Sequence, residues 1–406
     1  MKALIALSAA LLSGAANAAD WPDTTLDWTL RAQAEARSAN PDSALAPAAT
    51  LLGAGRDCGT GEVRLRGRVG QIGFAGQAWA AGCDPGGVDR DGRVDELFWE
   101  GEAGPLHFTL GKKVVSWDVG FGFRPLDVVQ RENRRALIDQ QLEGVPVVMV
   151  EHFSSRVAST LVFANPGHSD EALRRDEQAL AWRGFAQLPV ADLHLLARWG
   201  AQERASLGAG FSSVPFDSLE VHGSSRWGQR ATRLVGTWPA ETPLATTTPW
   251  RDQVGGAFWQ TLVGTQWTGE NKISVLAEAW YDGTAPSESE WDAWRARNEA
   301  ISGFAYAPAI ARAGNLAWNA QALGQVNLHR TNLLLRAAYG GDTWQPEVDW
   351  LLTPADGGSV LSAALAWQGD RLRLEAGVRT YLGPSDAIYR QLPDRGNAYV
   401  IATLPF

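Results

Sequence analysis

The last eleven residues, Gly396 to Phe406, read GNAYVIATLPF, and they decide the fold of this 406-residue chain. Every second residue of the stretch is apolar and falls on one side of an extended strand: Ala398, Val400, Ala402, Leu404 and Phe406. The residues between them fall on the other side: Asn397, Tyr399, Ile401, Thr403 and Pro405. An alternation of period two predicts a β-strand that presents one apolar face to its surroundings.

A terminal strand that alternates in this way and stops on a Phe resembles the closing strand of bacterial outer-membrane β-barrels. In that class the final aromatic belongs to a signal that the barrel assembly machinery reads. The resemblance therefore implies that machinery as a partner and Tyr399, Leu404 and Phe406 as the signal. An edge strand of a soluble β-domain is the alternative.

The same alternation recurs elsewhere in the chain. Leu26 to Arg37 keeps it for twelve residues, which suits a tilted membrane strand, and Glu62 to Val69 and Arg371 to Arg379 repeat it. Short turns alternate with long segments, as periplasmic turns alternate with extracellular loops in outer-membrane barrels. We predict an all-β fold, a transmembrane antiparallel up-and-down barrel of about 18 strands within a range of 16 to 20. Strand directions conflict once, between Trp238 and Leu316, so at least one strand assignment there is expected to fail.

Composition supports this class. No segment of the mature chain has the ~18 consecutive apolar residues of a membrane-spanning helix, whereas a barrel needs only one apolar face per strand. The 19 Trp residues suit aromatic girdles at the two membrane interfaces. A net charge of −9 argues against nucleic acid as a partner.

The N-terminus predicts export. Met1-Lys2, an apolar run from Ala3 to Leu12 and the ending Ala16-Asn17-Ala18 form a secretory signal peptide over residues 1–18, which leaves residues 19–406 for the barrel. The compartment beyond the inner membrane is oxidising, so the two cysteines can pair. A hairpin that turns near Gly70-Gln71 places Cys58 opposite Cys83 and predicts a disulfide, with two free thiols as the alternative.

One long segment does not alternate and is expected to carry function. Leu110 to Arg135 reads LGKKVVSWDVGFGFRPLDVVQRENRR, and loops of this length are usually functional or disordered. In porin-like barrels such a segment folds into the lumen and sets selectivity. We predict a constriction formed by this set of residues: Lys112, Lys113, Trp117, Arg124, Asp127, Arg131, Arg134 and Arg135. An extracellular lid that carries surface charges is the alternative.

The same segment carries a family resemblance. Leu110-Gly111-Lys112-Lys113, then Trp117, Gly120, Gly122 and Pro125-Leu126-Asp127, resemble segments of Gram-negative outer-membrane channels of the alginate-export and related porin-like groups. Asp118 stands where that pattern has a glycine. The resemblance implies a channel or exporter and leaves the solute unidentified.

A closed barrel brings its first and last strands together, and with them a set of arginines. These would line one stretch of inner wall: Arg31, Arg64, Arg66, Arg68, Arg371, Arg373 and Arg379. A positive lumen favours anions. Pairing of these arginines with Asp27, Glu35, Glu62 and Glu375 is the alternative, and it would leave little net field.

Other chemistry finds little support in the sequence. The six histidines have no close metal-ligand spacing, and the chain has no G-x-S-x-G, H-E-x-x-H or P-loop motif. The acidic run from Asp84 to Glu96 resembles part of a calcium loop, but Arg90 and Arg93 interrupt it and favour a solvated hairpin loop. We therefore expect no cofactor, no metal and no enzymatic activity.

These observations favour an outer-membrane channel in contact with lipid and lipopolysaccharide. It would pass or export a small or oligomeric hydrophilic solute, which the basic residues predict to be anionic. Two alternatives remain open at this point, a non-conducting barrel that acts in surface adhesion and a lipid-active enzyme.

Overall fold

The computed structural model describes residues 24–130, 142–164, 177–238 and 242–406. Eighteen strands within these ranges form one antiparallel sheet. Its first strand, β1 (Thr24–Ala39), pairs with β2 (Asp57–Val69) on one side and with the last strand, β20 (Asp394–Pro405), on the other. The sheet is therefore closed, and the predicted up-and-down barrel of 18 strands is confirmed. The proposed signal peptide, residues 1–18, lies outside the described ranges.

The other strands follow in chain order: β3 (Ile72–Asp84), β4 (Val88–Ala103), β5 (Leu106–Lys113), β6 (Val145–Phe153), β7 (Val157–Ala164), β8 (Ala179–Gln187), β9 (Asp192–Gly200), β10 (Arg204–Phe216), β11 (Leu219–Gly228), β12 (Thr232–Gly236), β13 (Trp250–Val254), β14 (Phe258–Thr268), β15 (Ile273–Asp282), β16 (Thr331–Tyr339), β17 (Trp344–Thr353), β18 (Gly358–Gln368) and β19 (Arg373–Leu382). The helices are α1 (Ala49–Leu52), α2 (Glu288–Gly303) and α3 (Ala309–Asn319). Single 3-10 turns occupy Ala46–Ala48, Ala320–Gly324 and Ile388–Gln391.

Two of the twenty strands in the described ranges stand apart from the barrel. β12 and β13 pair only with each other, and β11 bonds directly to β14 instead. The predicted conflict of strand directions, between Trp238 and Leu316, falls in this part of the chain, which contains β13.

The barrel presents an apolar surface outward. On β14, Trp259 and Val263 point outward and are more than half exposed, while Gln260 and Leu262 between them are buried inside. Aromatic side chains ring the outer surface near both strand ends. Those near the end with the long connections are Trp199, Trp227, Trp259 and Tyr281, and those near the short turns are Trp267, Tyr339, Trp344 and Trp367. An apolar band between two aromatic girdles is the surface of an outer-membrane barrel, with the long connections at the extracellular end.

In the described part of the chain, no helix has both the length and the apolarity needed to cross a membrane.

The terminal strand closes the barrel through its last residue. The Phe406 ring stacks on Trp28 of β1 with centroids 3.9 Å apart, and the backbones of the two residues exchange hydrogen bonds of 2.9 and 3.3 Å. Leu404 shares the outward face with Phe406, because both alternate with the inward Tyr399, whose hydroxyl donates to Glu375 at 3.0 Å. The three residues proposed as an assembly signal therefore sit on both faces of the closing strand.

The predicted disulfide is confirmed. Cys58 and Cys83 lie opposite each other on β2 and β3 and are bonded. The adjoining acidic run is not the loop that was expected, because β4 already begins at Val88 and pairs with β3 along its length. The sequence did not predict the start of β4, because Asp89 to Asp91 are charged and exposed and show no apolar alternation.

A cap built from three extracellular connections covers part of the barrel mouth. Its core joins α2 and α3 to the segments 45–48 and 388–389 and contains this set of residues: Leu45, Ala48, Trp291, Trp294, Ile301, Leu316, Ala322, Leu323, Leu328, Val360, Ile388 and Tyr389. Val360 belongs to β18, so the cap rests on the inner wall of the barrel. α2 begins with a reciprocal capping box between Ser287 and Glu290, and the indole of Trp291 donates to the Leu328 carbonyl at 2.6 Å.

One buried histidine ties the cap to the strand connections. His329 lies 3.0 Å from Glu288 of α2 through Nδ1, and 2.7 Å from Asp356 of the β17–β18 turn through Nε2. Burial alone would lower the pKa of His329, but the two carboxylates outweigh it and raise that pKa above its ordinary 6.5. Burial would raise the pKa of Asp356, but the bonds from His329 and from the N–H groups of Ile388 and Gly358 hold it below its ordinary 3.8.

These shifts predict the pH dependence of the cap. The contribution of His329 is complete below pH 6.5 and is lost as pH rises through its raised pKa, while that of Asp356 is complete above pH 3.8. Hydrogen–deuterium exchange of α2 should therefore be slowest between these values and should accelerate in alkaline buffer beyond the intrinsic rate change. His329→Gln should abolish this extra acceleration, and His107→Gln, at an exposed site, should keep it. An unchanged profile in His329→Gln would contradict the assignment.

Candidate functional site

The candidate site begins where the chain leaves the barrel wall. β5 has 8 residues, whereas its neighbour β4 has 16, so the chain departs partway along the wall. We call residues 114–130 the inward segment. Arg131, Arg134 and Arg135, which were predicted for the constriction, lie outside the described residues.

The inward segment packs its apolar side on the inside of the barrel. The buried cluster includes Val115, Trp117, Leu126, Val128 and Val129 of the segment with Val145, Val147, Met149, Val162, Ala164, Ala181 and Leu196 of β6 to β9. On the next strand, β10, a Cβ at Gly208 would lie 2.5 Å from the Leu126 side chain. Glycine at this position therefore leaves room for the inward segment. The predicted inward-folded loop is confirmed, and the alternative of an extracellular lid is not what the segment forms.

A buried carboxylate holds the start of the segment in shape. Asp127 accepts hydrogen bonds from the backbone N–H of Trp117 at 2.5 Å, from that of Asp118 at 2.9 Å and from the Ser116 hydroxyl at 2.9 Å. Trp117 is itself buried in the cluster against the wall. Both residues were predicted for the constriction. In the structure they are buried, and they stabilise the inward segment on the side that faces the barrel wall.

Asp118, which departs from the glycine of the family pattern, has a similar structural role. Its carboxylate accepts the N–H groups of Val119 at 2.7 Å and Gly120 at 3.2 Å, and also that of Leu126. Burial raises the pKa of Asp118 in spite of these bonds. The Asp118 carboxylate therefore holds this turn through backbone hydrogen bonds.

The far end of the segment is anchored to the opposite part of the wall. Glu278 of β15 accepts the N–H of Phe121 at 2.8 Å and that of Gly122 at 2.6 Å. The same carboxylate lies 2.9 Å from Nε2 of His222, and both side chains are fully buried. Gly264 lies between these two residues in the sheet, where a Cβ would come within 2.4 Å of the His222 ring.

The sequence did not predict this anchor. The sequence analysis found no metal-ligand spacing around His222, and it predicted an inward segment without indicating which wall residues would bond it. The available signal was the register: His222, Gly264 and Glu278 are successive neighbours across three strands.

The segment turns three side chains towards the lumen: Ser116 and Phe121 are exposed and Arg124 is half-buried. Arg124 donates to the Ser116 hydroxyl at 2.5 Å and to the Gly120 carbonyl at 2.9 Å, and it lies 3.4 Å from Asp127. Of the predicted constriction residues that are described, it is the one held on the lumen side of the segment.

The two lysines that precede the segment are paired. Lys112 donates to Glu143 and, at 2.7 Å, to the Val94 carbonyl. Lys113 donates to Glu100 at 2.5 Å and lies over the Phe98 ring, 4.6 Å from its centroid. Both therefore fix the base of the segment.

Closure of the barrel does bring the predicted wall arginines together, but with carboxylates beside them. The ion pairs include Arg31 and Arg64 with Glu62 at 3.5 and 2.7 Å, Arg66 with Glu96 at 3.2 Å, Arg68 with Glu100, and Arg373 with Glu375 at 3.3 Å. Arg379 donates to the Ser362 hydroxyl at 3.1 Å. Arg371 lies in the exposed turn before β19, at the end of the wall.

In several ion pairs of the wall and of the inward segment, the cation is better exposed than the anion. The side chain of Arg66 is 73% exposed and that of Glu96 is 8% exposed. Arg93 and Asp95 on β4 are 26% and 0% exposed, and Arg124 and Asp127 of the segment are 23% and 2% exposed. The carboxylates therefore lie behind the guanidinium groups, which face the water of the lumen.

Comparison with solved structures shows which known proteins share this fold. Neither a protein-family model nor a curated protein matches the sequence. The solved structure of OccK5 (OpdH) from Pseudomonas aeruginosa matches at 11% identity and TM-score 0.54, over 96% of this chain and 100% of its own. OccAB1 from Acinetobacter baumannii matches at 8% identity and TM-score 0.54, over 95% and 97%. The outer membrane protein OprD from Pseudomonas aeruginosa matches at 8% identity and TM-score 0.52, over 95% and 94%. The predicted porin-like barrel is thus confirmed as a fold.

The anchor makes a prediction about the inward segment. Glu278→Ala leaves two segment N–H groups and His222 without their acceptor, at a cost of about 1–3 kcal/mol for each buried group. The segment tip should then detach and the single-channel current of the protein in a planar bilayer should become noisier and larger. Glu375→Ala removes a wall carboxylate that bonds Arg373 and Tyr399 of the neighbouring wall, and it should leave the noise unchanged. Equal noise in both variants would contradict the anchoring role.

Proposed function

We propose that the protein is a passive channel of the outer membrane for hydrophilic solutes, with a preference for anions. A closed barrel of this size encloses a lumen, and the inward segment occupies the side formed by β6 to β16. The free path then runs between Arg124 on the segment and the paired charges of β1 to β4 and β19. Passage along this path requires no chemical step.

The greater exposure of the cation in the pairs Arg66–Glu96, Arg93–Asp95 and Arg124–Asp127 supports the anion preference. Pairing removes most of the net charge of the wall, as the alternative in the sequence analysis held. A solute in the lumen nevertheless meets guanidinium groups first, because their carboxylates are buried behind them. A guanidinium can bond a carboxylate or phosphate with two parallel N–H groups, so an anionic solute gains contacts that a cation does not. The preference for anions should therefore be moderate, and it should act only close to these guanidinium groups.

We also propose the two processing steps that the sequence predicted. Residues 1–18 would be removed on export, and the barrel assembly machinery would read the terminal strand with Tyr399, Leu404 and Phe406. The support is the closing position of Phe406 against Trp28.

The charge preference can be tested by the reversal potential of the purified protein under a salt gradient. The wild-type protein should show an anion-selective potential. Arg66→Glu replaces the most exposed of the paired wall arginines and Arg124→Glu the lumen cation of the segment, and each should move the potential towards cation selectivity.

Arg156→Glu, in the exposed β6–β7 turn, makes the same charge change away from the path and serves as the control. It should shift the potential least. A cation-selective wild-type protein, or equal shifts in all three variants, would overturn the proposed path.

A further inference from the structure

A recess of about 310 Å³ lies at the outer rim of the barrel, beside the proposed path rather than on it. The base of the β12–β13 hairpin forms one side, through Arg233 and Gly256. The floor is formed by the extracellular ends of β14 and β15, through Trp259 and Tyr281. Arg330, which precedes β16, also lines the recess.

The aromatic residues show the level at which the recess lies. Trp259 and Tyr281 point outward, since they alternate with the buried Gln260 and Trp280 on the inside. Both belong to the girdle at the extracellular end, where aromatic side chains sit among lipid headgroups. The recess therefore opens to the headgroup region of the outer leaflet.

The charge of the recess comes from Arg330. Arg233 is neutralised by Glu290 at 2.8 Å and bonds the Thr284 carbonyl at 3.0 Å, so it stiffens the wall. Arg330 donates through Nε to the Ala285 carbonyl at 3.1 Å, and no acidic group of the described residues lies within ion-pair distance of it. Its terminal N–H groups are thus available to an anion.

A second recess lies farther along β14 and β15 on the same outer surface. This groove, about 450 Å³ in volume, is lined by outward apolar residues that include Val263, Ala277, Ala279, Leu333 and Leu335. Ala279 and Ala277 follow Tyr281 at successive outward positions of β15, and their small side chains leave a furrow between larger neighbours. At this depth the groove faces the hydrocarbon of the membrane.

We propose that the two recesses together form one site for a phosphate-bearing acylated lipid of the outer leaflet, with its phosphate on Arg330 and an acyl chain in the groove. Both parts are needed to identify the ligand. A soluble anion would explain the basic recess and not the groove beneath it. An uncharged lipid would fill the groove and leave the Arg330 guanidinium without a counter-charge at the headgroup level.

Native mass spectrometry of the full-length barrel in detergent, titrated with bis-phosphorylated lipid A, tests this site. Arg330→Ala should weaken binding about fivefold, which corresponds to one arginine at a charged lipid surface. Ala279→Leu, which fills the groove, should weaken it as well. Arg312→Ala is the matched control, because Arg312 of α3 also makes one bond to a backbone carbonyl, at 3.0 Å. It should bind as the wild-type protein does.

Unaltered conductance of the Arg330→Ala barrel will show that the variant is folded, and it separates this proposal from that of the channel. Equal affinity of the wild-type protein for lipid A with its phosphates removed would overturn the proposal. So would equal affinity of wild type and Arg330→Ala for the phosphorylated form. If inorganic phosphate alone binds as tightly as lipid A, the recess takes a soluble anion and the lipid assignment is wrong.

Discussion

Backbone groups in a bilayer find no water to bond, and this constraint shapes the whole molecule. Each strand must have two bonded neighbours, and the pairing of β1 with β20 removes the two edges that an open sheet would leave. Closure also fixes what surrounds the lumen. It brings the arginines of the first two strands beside those of β19, and it allows a segment that leaves the wall after β5 to bond the far side at Glu278.

Buried carboxylates organise the interior that closure creates. Asp127 and Glu278 lose water on burial, and they are compensated by backbone N–H groups of the inward segment. Along the wall, Glu62 and Glu96 are compensated by arginines that reach the lumen. The same requirement, that a buried charge must be bonded, therefore both holds the segment in place and turns cations towards the passage.

The sequence predicted the features that depend on local alternation and failed where long-range packing decides. The terminal strand, the hairpin that pairs Cys58 with Cys83 and the closure of the barrel all follow from period two and short turns. Asp127 and Trp117 were correctly placed in a special segment, but their roles depend on which side of it meets the wall. No local sequence pattern indicates which side of the inward segment faces the wall.

The wall charges show the same limit. Alternation predicted that Arg64 and Arg66 face inward, yet their partners Glu62 and Glu96 come from the same strand in one case and from two strands away in the other. Only the register of the closed sheet decides such pairs. The β12–β13 hairpin shows the same limit, since only long-range pairing decides that its two strands bond each other and not the barrel sheet.

The most direct test of the account is single-channel recording of the purified, refolded wild-type protein in a planar bilayer. A water-filled path beside the inward segment predicts discrete conductance steps and a larger permeability for the anion of the salt. A correctly folded barrel that carries no current would contradict the account, because the segment and the cap would then close the lumen completely.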